Sequence, residues 1–110
     1  MIRIGPKARI HGLRPELNLA NIVLLGILLK HNVVMILSHV IDGVHARGSI
    51  HYMGGAEDLV FAHSLEAHVK KQIFEEWKQA VGQDFDILFE SIGTPNEHFH
   101  CEWQPKEAYK

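Results

Sequence analysis

Two groups of residues in this 110-residue chain have types and spacings that suit metal chemistry. The first group is the stretch 49–58, in which His51 and Asp58 flank the pair Gly54 and Gly55. Imidazole nitrogens and carboxylate oxygens both bind divalent cations such as zinc. The glycines permit a sharp backbone turn, so the two side chains can converge on one point.

The second group is Glu97-His98-Phe99-His100, close to the C-terminal end. Residues two apart on a strand share a face, so His98 and His100 are expected to point the same way. One imidazole from this group would complete three protein ligands, and a zinc site with three protein ligands keeps a position open for catalysis. Strand geometry alone does not decide between the two histidines.

Together the two groups resemble the motifs of the zinc D-Ala-D-Ala dipeptidases and carboxypeptidases. That family also contains the L-alanyl-D-glutamate endopeptidases of phage lysins, and it shares its fold with the hedgehog signalling domain. Residues 49–58 read Ser-x-His-x-x-Gly-x-Ala-x-Asp, and residues 97–100 read Glu-x-x-His. Residues 12–16 and 42–49 also look like the small family members, so the resemblance spans most of the chain.

The resemblance implies a role for each motif residue. His51, Asp58 and His100 would bind Zn²⁺, and Glu97 would be the general base. His98 matches a histidine that assists the reaction in some members of the family.

The sequence departs from the family at one functional position. Many members carry an arginine that polarises the scissile carbonyl in the strand before the first motif, but residues 36–42 contain none. Arg47 is the nearest candidate for contact with substrate, and Ser49 could donate a hydrogen bond to it. Asp86 and Glu90 compete with Glu97 for the role of base.

The implied function is a zinc metallopeptidase that hydrolyses peptidoglycan stem peptides at D-Ala-D-Ala or L-Ala-D-Glu bonds. The alternative is a non-catalytic zinc-binding module like the hedgehog domain. The absent arginine favours the module, whereas the acid at Glu97 favours the enzyme.

A net charge of −2 gives no reason to expect that the protein binds nucleic acid. We also expect no membrane insertion and no signal peptide, so the protein would be made in the cytoplasm and reach a cell wall after phage lysis or another release.

The hydrophobic pattern predicts a single α+β domain over 1–110, with an N-terminal arm at 1–14 and a loose tail at 104–110. Two helices should pack on one face of a small, largely antiparallel sheet of about four strands, with the metal ligands on the other face. The helix starting at Pro15 should be buried on most sides, and the second should span 65–81 with Ser64 as its cap. Cys101 should be a buried core residue that faces away from the metal.

Overall fold

The computed structural model describes residues 1–8, 15–41 and 55–104. Within them the chain forms two helices and five strands, which confirms the α+β class. Their order is β1 (Ile2–Ile4), α1 (Pro15–His31), β2 (Met35–Ile41), β3 (Ala56–Phe61), α2 (Ala67–Val81), β4 (Phe85–Glu90) and β5 (His98–Trp103).

The described strands form one mixed sheet in the order β1-β2-β3-β5-β4. β1 runs parallel to β2, and the other three pairings are antiparallel. The sequence predicted about four strands and an N-terminal arm over residues 1–14. The difference is the short strand β1, which joins the edge of β2 with Ile2 opposite Met35.

Both ends of the described chain are tied to the sheet. The N-terminal ammonium of Met1 donates a hydrogen bond of 2.9 Å to the carbonyl of Val33. At the other end, the backbone N–H of Gln104 donates to the carbonyl of Asp84 over 2.6 Å. The predicted arm therefore begins as a strand, and the first residue of the predicted tail is anchored; residues 9–14 and 105–110 lie outside the described part.

Both helices pack on the same face of the sheet. The indole N–H of Trp77 in α2 donates a buried hydrogen bond of 2.9 Å to the carbonyl of Ala20 in α1. Phe99 of β5 lies beneath them, with ring centroids 5.0 Å from Phe89 and 5.8 Å from Trp77. This packing holds β5 firmly, and with it the histidines on the opposite face of that strand.

The second helix begins slightly later than the sequence predicts. It spans Ala67–Val81, and Glu66 rather than Ser64 precedes its first turn, without a capping side-chain bond. Gly82 ends it with φ of 82°, a conformation that glycine adopts without the steric cost of a side chain.

The first helix begins at Pro15 as predicted, but the prediction that it is buried on most sides is wrong. It buries one stripe of residues, Leu17, Ala20, Leu24 and Leu28. The opposite side exposes the apolar residues Leu19, Ile22 and Leu29. None of the described helices is long and apolar enough to cross a membrane.

Candidate metal centre

The face of the sheet away from the helices carries the predicted ligands that the structure describes. Strand alternation directs Asp58 of β3 to this open face and sends its neighbours Glu57 and Leu59 into the core. On β5, His98 and His100 point outward, while Cys101 is fully buried. These placements follow the alternation predicted from the sequence, including the buried position of Cys101.

Three polar residues lie in a row across the middle of the open face. His39 of β2 is opposite Asp58 of β3, which is opposite His100 of β5. A bulge between Leu37 and His39 shifts the register at this point, and the Ser38 hydroxyl donates to the carbonyl of Asp58 over 3.1 Å. Bulges re-aim side chains, and this one sets His39 beside Asp58.

Asp58 and His100 are in direct contact although they are far apart in the sequence. The distance between His100 Nδ1 and Asp58 Oδ1 is 2.7 Å. The other ring nitrogen, Nε2, lies 3.1 Å from Oε1 of Glu102. All three side chains are more than three-quarters buried, which strengthens their electrostatic interaction.

These contacts shift the pKa of both partners in opposite directions. The hydrogen bond to Asp58 raises the pKa of His100 to about 9, and Glu102 adds to this rise while burial opposes it. Burial by itself raises the pKa of Asp58, but the hydrogen bond and charge of His100 outweigh it, so the net pKa is lowered. Without a metal, the pair is therefore an imidazolium and a carboxylate at neutral pH.

The same two side chains fit a zinc ion. Two atoms bound to one tetrahedral zinc at about 2.0–2.1 Å lie roughly 3.3 Å apart. His100 Nδ1 and Asp58 Oδ1 are 2.7 Å apart, so a small separation would let both bind one ion. Glu102 would then accept from the remaining ring N–H of His100, as outer carboxylates commonly do at metal-binding histidines. The ion would have to replace the proton that now joins the pair.

His98 has different partners from His100. Its Nδ1 lies 2.7 Å from the carbonyl oxygen of Asn96, and its Nε2 lies 3.2 Å from Oε1 of Glu90. The structure thus separates two histidines that strand geometry alone could not, because only His100 contacts Asp58.

Glu97 is not placed beside Asp58 and His100, contrary to the prediction that it stands next to the metal. It precedes β5 and lies in an ion pair of 2.7 Å with Lys70 of α2, on the helix side. Its other oxygen accepts from the backbone N–H of Gly93 over 3.1 Å. Burial alone raises the pKa of Glu97, but these two hydrogen bonds lower it overall. Strand alternation explains the placement, since consecutive residues point to opposite faces.

The remaining predicted residues, Arg47, Ser49 and His51, lie outside the described residues. Residues 55–104 and the other described segments contain no group of three His, Cys, Asp or Glu side chains arranged to hold a metal. Asp58 and His100 therefore provide two donors, and His51 is the predicted third. Gly55, at the start of β3, has φ of 98°, which supports the turn that the glycine pair predicts.

Sequence reasoning overlooked two residues of this centre. Glu102 follows His100 by two positions and so shares its face, a signal that alternation could have provided. His39 becomes a neighbour of Asp58 only through the register between β2 and β3, which the sequence does not reveal. A depression of about 310 Å³ adjoins the pair; its lining includes Asp86, Leu88, His100 and Glu102.

No protein-family model matches this chain, and neither a curated protein nor a solved structure shows significant similarity to it.

Proposed function

We propose that this protein is a zinc-dependent peptidase that cleaves the stem peptides of bacterial peptidoglycan, with Asp58, His100 and His51 as the metal ligands. The contact of 2.7 Å between Asp58 and His100 carries this proposal. Those two residues are 42 positions apart in the sequence, and the family resemblance assigns both of them as ligands of the same ion.

A bound zinc ion supplies a Lewis acid that polarises the scissile carbonyl and acidifies a water molecule. The chain's own residues prepare the site for it. Glu102 fixes the ring of His100 at Nε2, and Glu90 orients the ring of His98 at its Nε2. Within the proposal, Nε2 of His98 leaves Glu90 and donates a hydrogen bond to the oxygen on which negative charge develops.

Hydrolysis also needs a group that takes the proton of the attacking water. The family resemblance gives this role to Glu97, which would first have to leave Lys70 and the N–H of Gly93. Glu90 is already on the open face, where it contacts His98. Glu97→Gln and Glu90→Gln distinguish these two candidates for the base. The variant that removes the base should lose about 100-fold or more in turnover and retain its zinc content.

The proposal also includes the fold family and the place where the protein acts. We infer the hedgehog and D-Ala-D-Ala peptidase fold from the motifs, together with action on the cell wall after phage lysis or another release. Among the described residues both helices lie on one face of the five-stranded sheet, and an extended peptide would bind on the opposite face.

The second candidate is a zinc-binding module without catalysis. The position of Glu97 favours it, because an acid held by Lys70 on the helix side contributes nothing to chemistry on the open face. In that case Asp58 and His100 still bind zinc, and peptide bonds remain intact.

Digestion of purified peptidoglycan with mass identification of new peptide termini distinguishes the two candidates. The enzyme should release new termini with zinc, and His100→Ala should abolish the release. His68→Ala is the matched control, since His68 is 73% exposed on α2, which packs on the opposite face of the sheet. Zinc binding without new termini would support the module, and the absence of zinc binding would exclude both.

His98→Ala tests the division of labour between the two histidines. We expect this variant to keep most of its zinc and to lose turnover, because His98 does not contact Asp58. Metal analysis and kinetics measure the two effects separately. Loss of zinc in His98→Ala and its retention in His100→Ala would exchange their roles.

A further inference from the structure

The outer side of α1 is an apolar surface without a described partner. Leu19, Ile22 and Leu29 are 63%, 65% and 64% exposed. Gly26, also exposed, lies among them. These four residues, which we call the outer stripe, lie opposite the helix side that packs into the core. A helix that is apolar all round is normally buried on all sides, whereas the described residues of one chain cover only one side of α1.

The spacing of the outer stripe is symmetric about position 24. Leu19 and Leu29 are five residues before and after that position, and Ile22 and Gly26 are two before and after it. When two copies of a helix pack antiparallel about a two-fold axis, symmetric positions face each other. Leu19 of one copy would then contact Leu29 of the other, and Ile22 would face Gly26, so the surface is complementary to itself.

Gly26 completes this complementarity by leaving room for a large side chain. A Cβ atom built on Gly26 meets nothing within 4 Å, so the position is an open notch in the stripe. Glycine is a poor helix former, and its backbone angle here requires no special freedom. In the antiparallel pair this notch would receive Ile22 of the other copy. Packing therefore explains a glycine at position 26, whereas helix formation does not.

The apolar surface continues from α1 onto the edge of the sheet. Ile4 of β1 is 51% exposed, and it lines a groove of about 460 Å³ together with Ile22 and Leu25. A helix of 17 residues is about 26 Å long. Stable dimers bury roughly 800 Å² per partner, and from contact through a single helix face and this edge we infer a weak and reversible association.

We propose that the protein forms a two-fold symmetric dimer through antiparallel packing of the outer stripes of two α1 helices. The occupant of the surface is a second copy of the chain, because the stripe matches itself in spacing and shape. This assembly would bury α1 on most sides, as its composition predicts. The proposal is independent of any metal or activity.

Sedimentation equilibrium over a wide concentration range tests the association. The mass should rise toward that of two chains, and Ile22→Glu should remain monomeric at the highest concentration. Ile92→Glu is the matched control, because Ile92 is 61% exposed but belongs to the turn between β4 and β5. Mass that stays at one chain throughout, or equal weakening by Ile22→Glu and Ile92→Glu, would overturn the proposal.

Gly26→Ala separates dimerisation from folding. Alanine favours the helix over glycine, so the melting temperature of dilute protein should rise. The added methyl group fills the notch, so the dimer should dissociate at a concentration several-fold higher. A dimer that is unchanged or tighter in this variant would exclude the packing of Ile22 against Gly26.

Cysteine cross-linking tests the antiparallel register. Leu19→Cys mixed with Leu29→Cys should give a disulfide-linked pair, since these positions face each other. Each variant alone should cross-link poorly, because equivalent positions would be about 15 Å apart along the axis. The native Cys101 is fully buried and should not compete in the folded protein. Efficient cross-linking of Leu19→Cys with itself would indicate a parallel arrangement and overturn the proposal.

Discussion

Glu57 and Asp58 are neighbours in the sequence with the same chemistry, yet they occupy opposite environments on the two faces of β3. Glu57 points into the core and is 0% exposed, and its Oε1 accepts a hydrogen bond of 2.8 Å from Asn21. Asp58 points to the open face and pairs with His100. Burial raises the pKa of Glu57 to about 8, whereas the pKa of Asp58 is lowered.

The difference shows that the surroundings of a carboxyl group, and not its residue type, decide its protonation state. Within the described structure, Oε2 of Glu57 and Oδ1 of Asn21 have no hydrogen-bond partner. Both of these oxygens are hydrogen-bond acceptors, and a proton on the Glu57 carboxyl supplies a donor between them. A protonated Glu57 agrees with its raised pKa. On the other face, a cationic imidazole stabilises the charge of Asp58. One strand thus carries a neutral acid in the core and a charged acid on the open face.

Glu57→Gln should have the largest effect on stability, and the effect should depend on pH. Because the pKa of Glu57 is higher in the folded state than in the unfolded state, wild-type stability falls as pH rises from about 4 to about 8. The full change is up to about 5 kcal/mol at 1.36 kcal/mol per pH unit. The amide variant cannot ionise and should lose this dependence, as measured by denaturant unfolding between pH 5 and 8.

Glu90→Gln is the control for that experiment, because Glu90 is on the open face with its side chain 47% exposed. It should keep the wild-type fall in stability between about pH 4 and 8. Parallel stability curves for wild type and Glu57→Gln would mean that Glu57 is charged in the core.

Asp58→Asn should have the next largest effect, about 1–2 kcal/mol near pH 6, because it removes a charge-assisted hydrogen bond. His100 has a raised pKa, so its contribution to stability is complete below about pH 6.5 and is lost as pH rises through about 9. Asp58 has a lowered pKa, so its contribution is lost as pH falls below about 4. NMR titration should show a lower pKa for His100 in the variant, and an unchanged value would exclude the pairing.

Glu102→Gln should have the smallest effect of the three. Glu102 is a weaker support for the charge of His100 than Asp58 is, at 3.1 Å against 2.7 Å. The pKa of His100 should fall by less than in Asp58→Asn, and stability near pH 6 should fall by less than about 1 kcal/mol. A larger fall in the pKa than Asp58→Asn produces would reverse the ranking of the two carboxylates.

The sequence predicts what depends on alternation and helical period. The faces of Asp58, Glu57, His98 and His100 follow from a period of two along β3 and β5, and the end of α2 at Gly82 follows from glycine at a helix terminus. Alternation places Glu97 on the face opposite His98 and His100, and the structure pairs it with Lys70.

What the sequence could not predict depends on relations between distant segments. The register that places His39 beside Asp58 includes a bulge, and no local sequence pattern predicts that bulge. Composition alone indicated that α1 is buried on most sides, whereas the exposure of one side depends on how the two helices cover the five-stranded sheet. Alternation puts Glu57 on the face opposite Asp58, but its partner Asn21 comes from another element, which no local pattern indicates.

The thermal shift caused by zinc tests most directly the claim that Asp58 and His100 bind one metal ion. Zinc binding stabilises only the folded state, so wild type should melt about 10 °C higher at a hundredfold excess of zinc over its Kd than after chelation. His68→Ala should show the same shift, whereas Asp58→Asn and His100→Ala should show almost none. A wild-type melting curve that neither zinc nor chelator changes, or a full zinc shift in Asp58→Asn, would contradict the assignment of the metal centre.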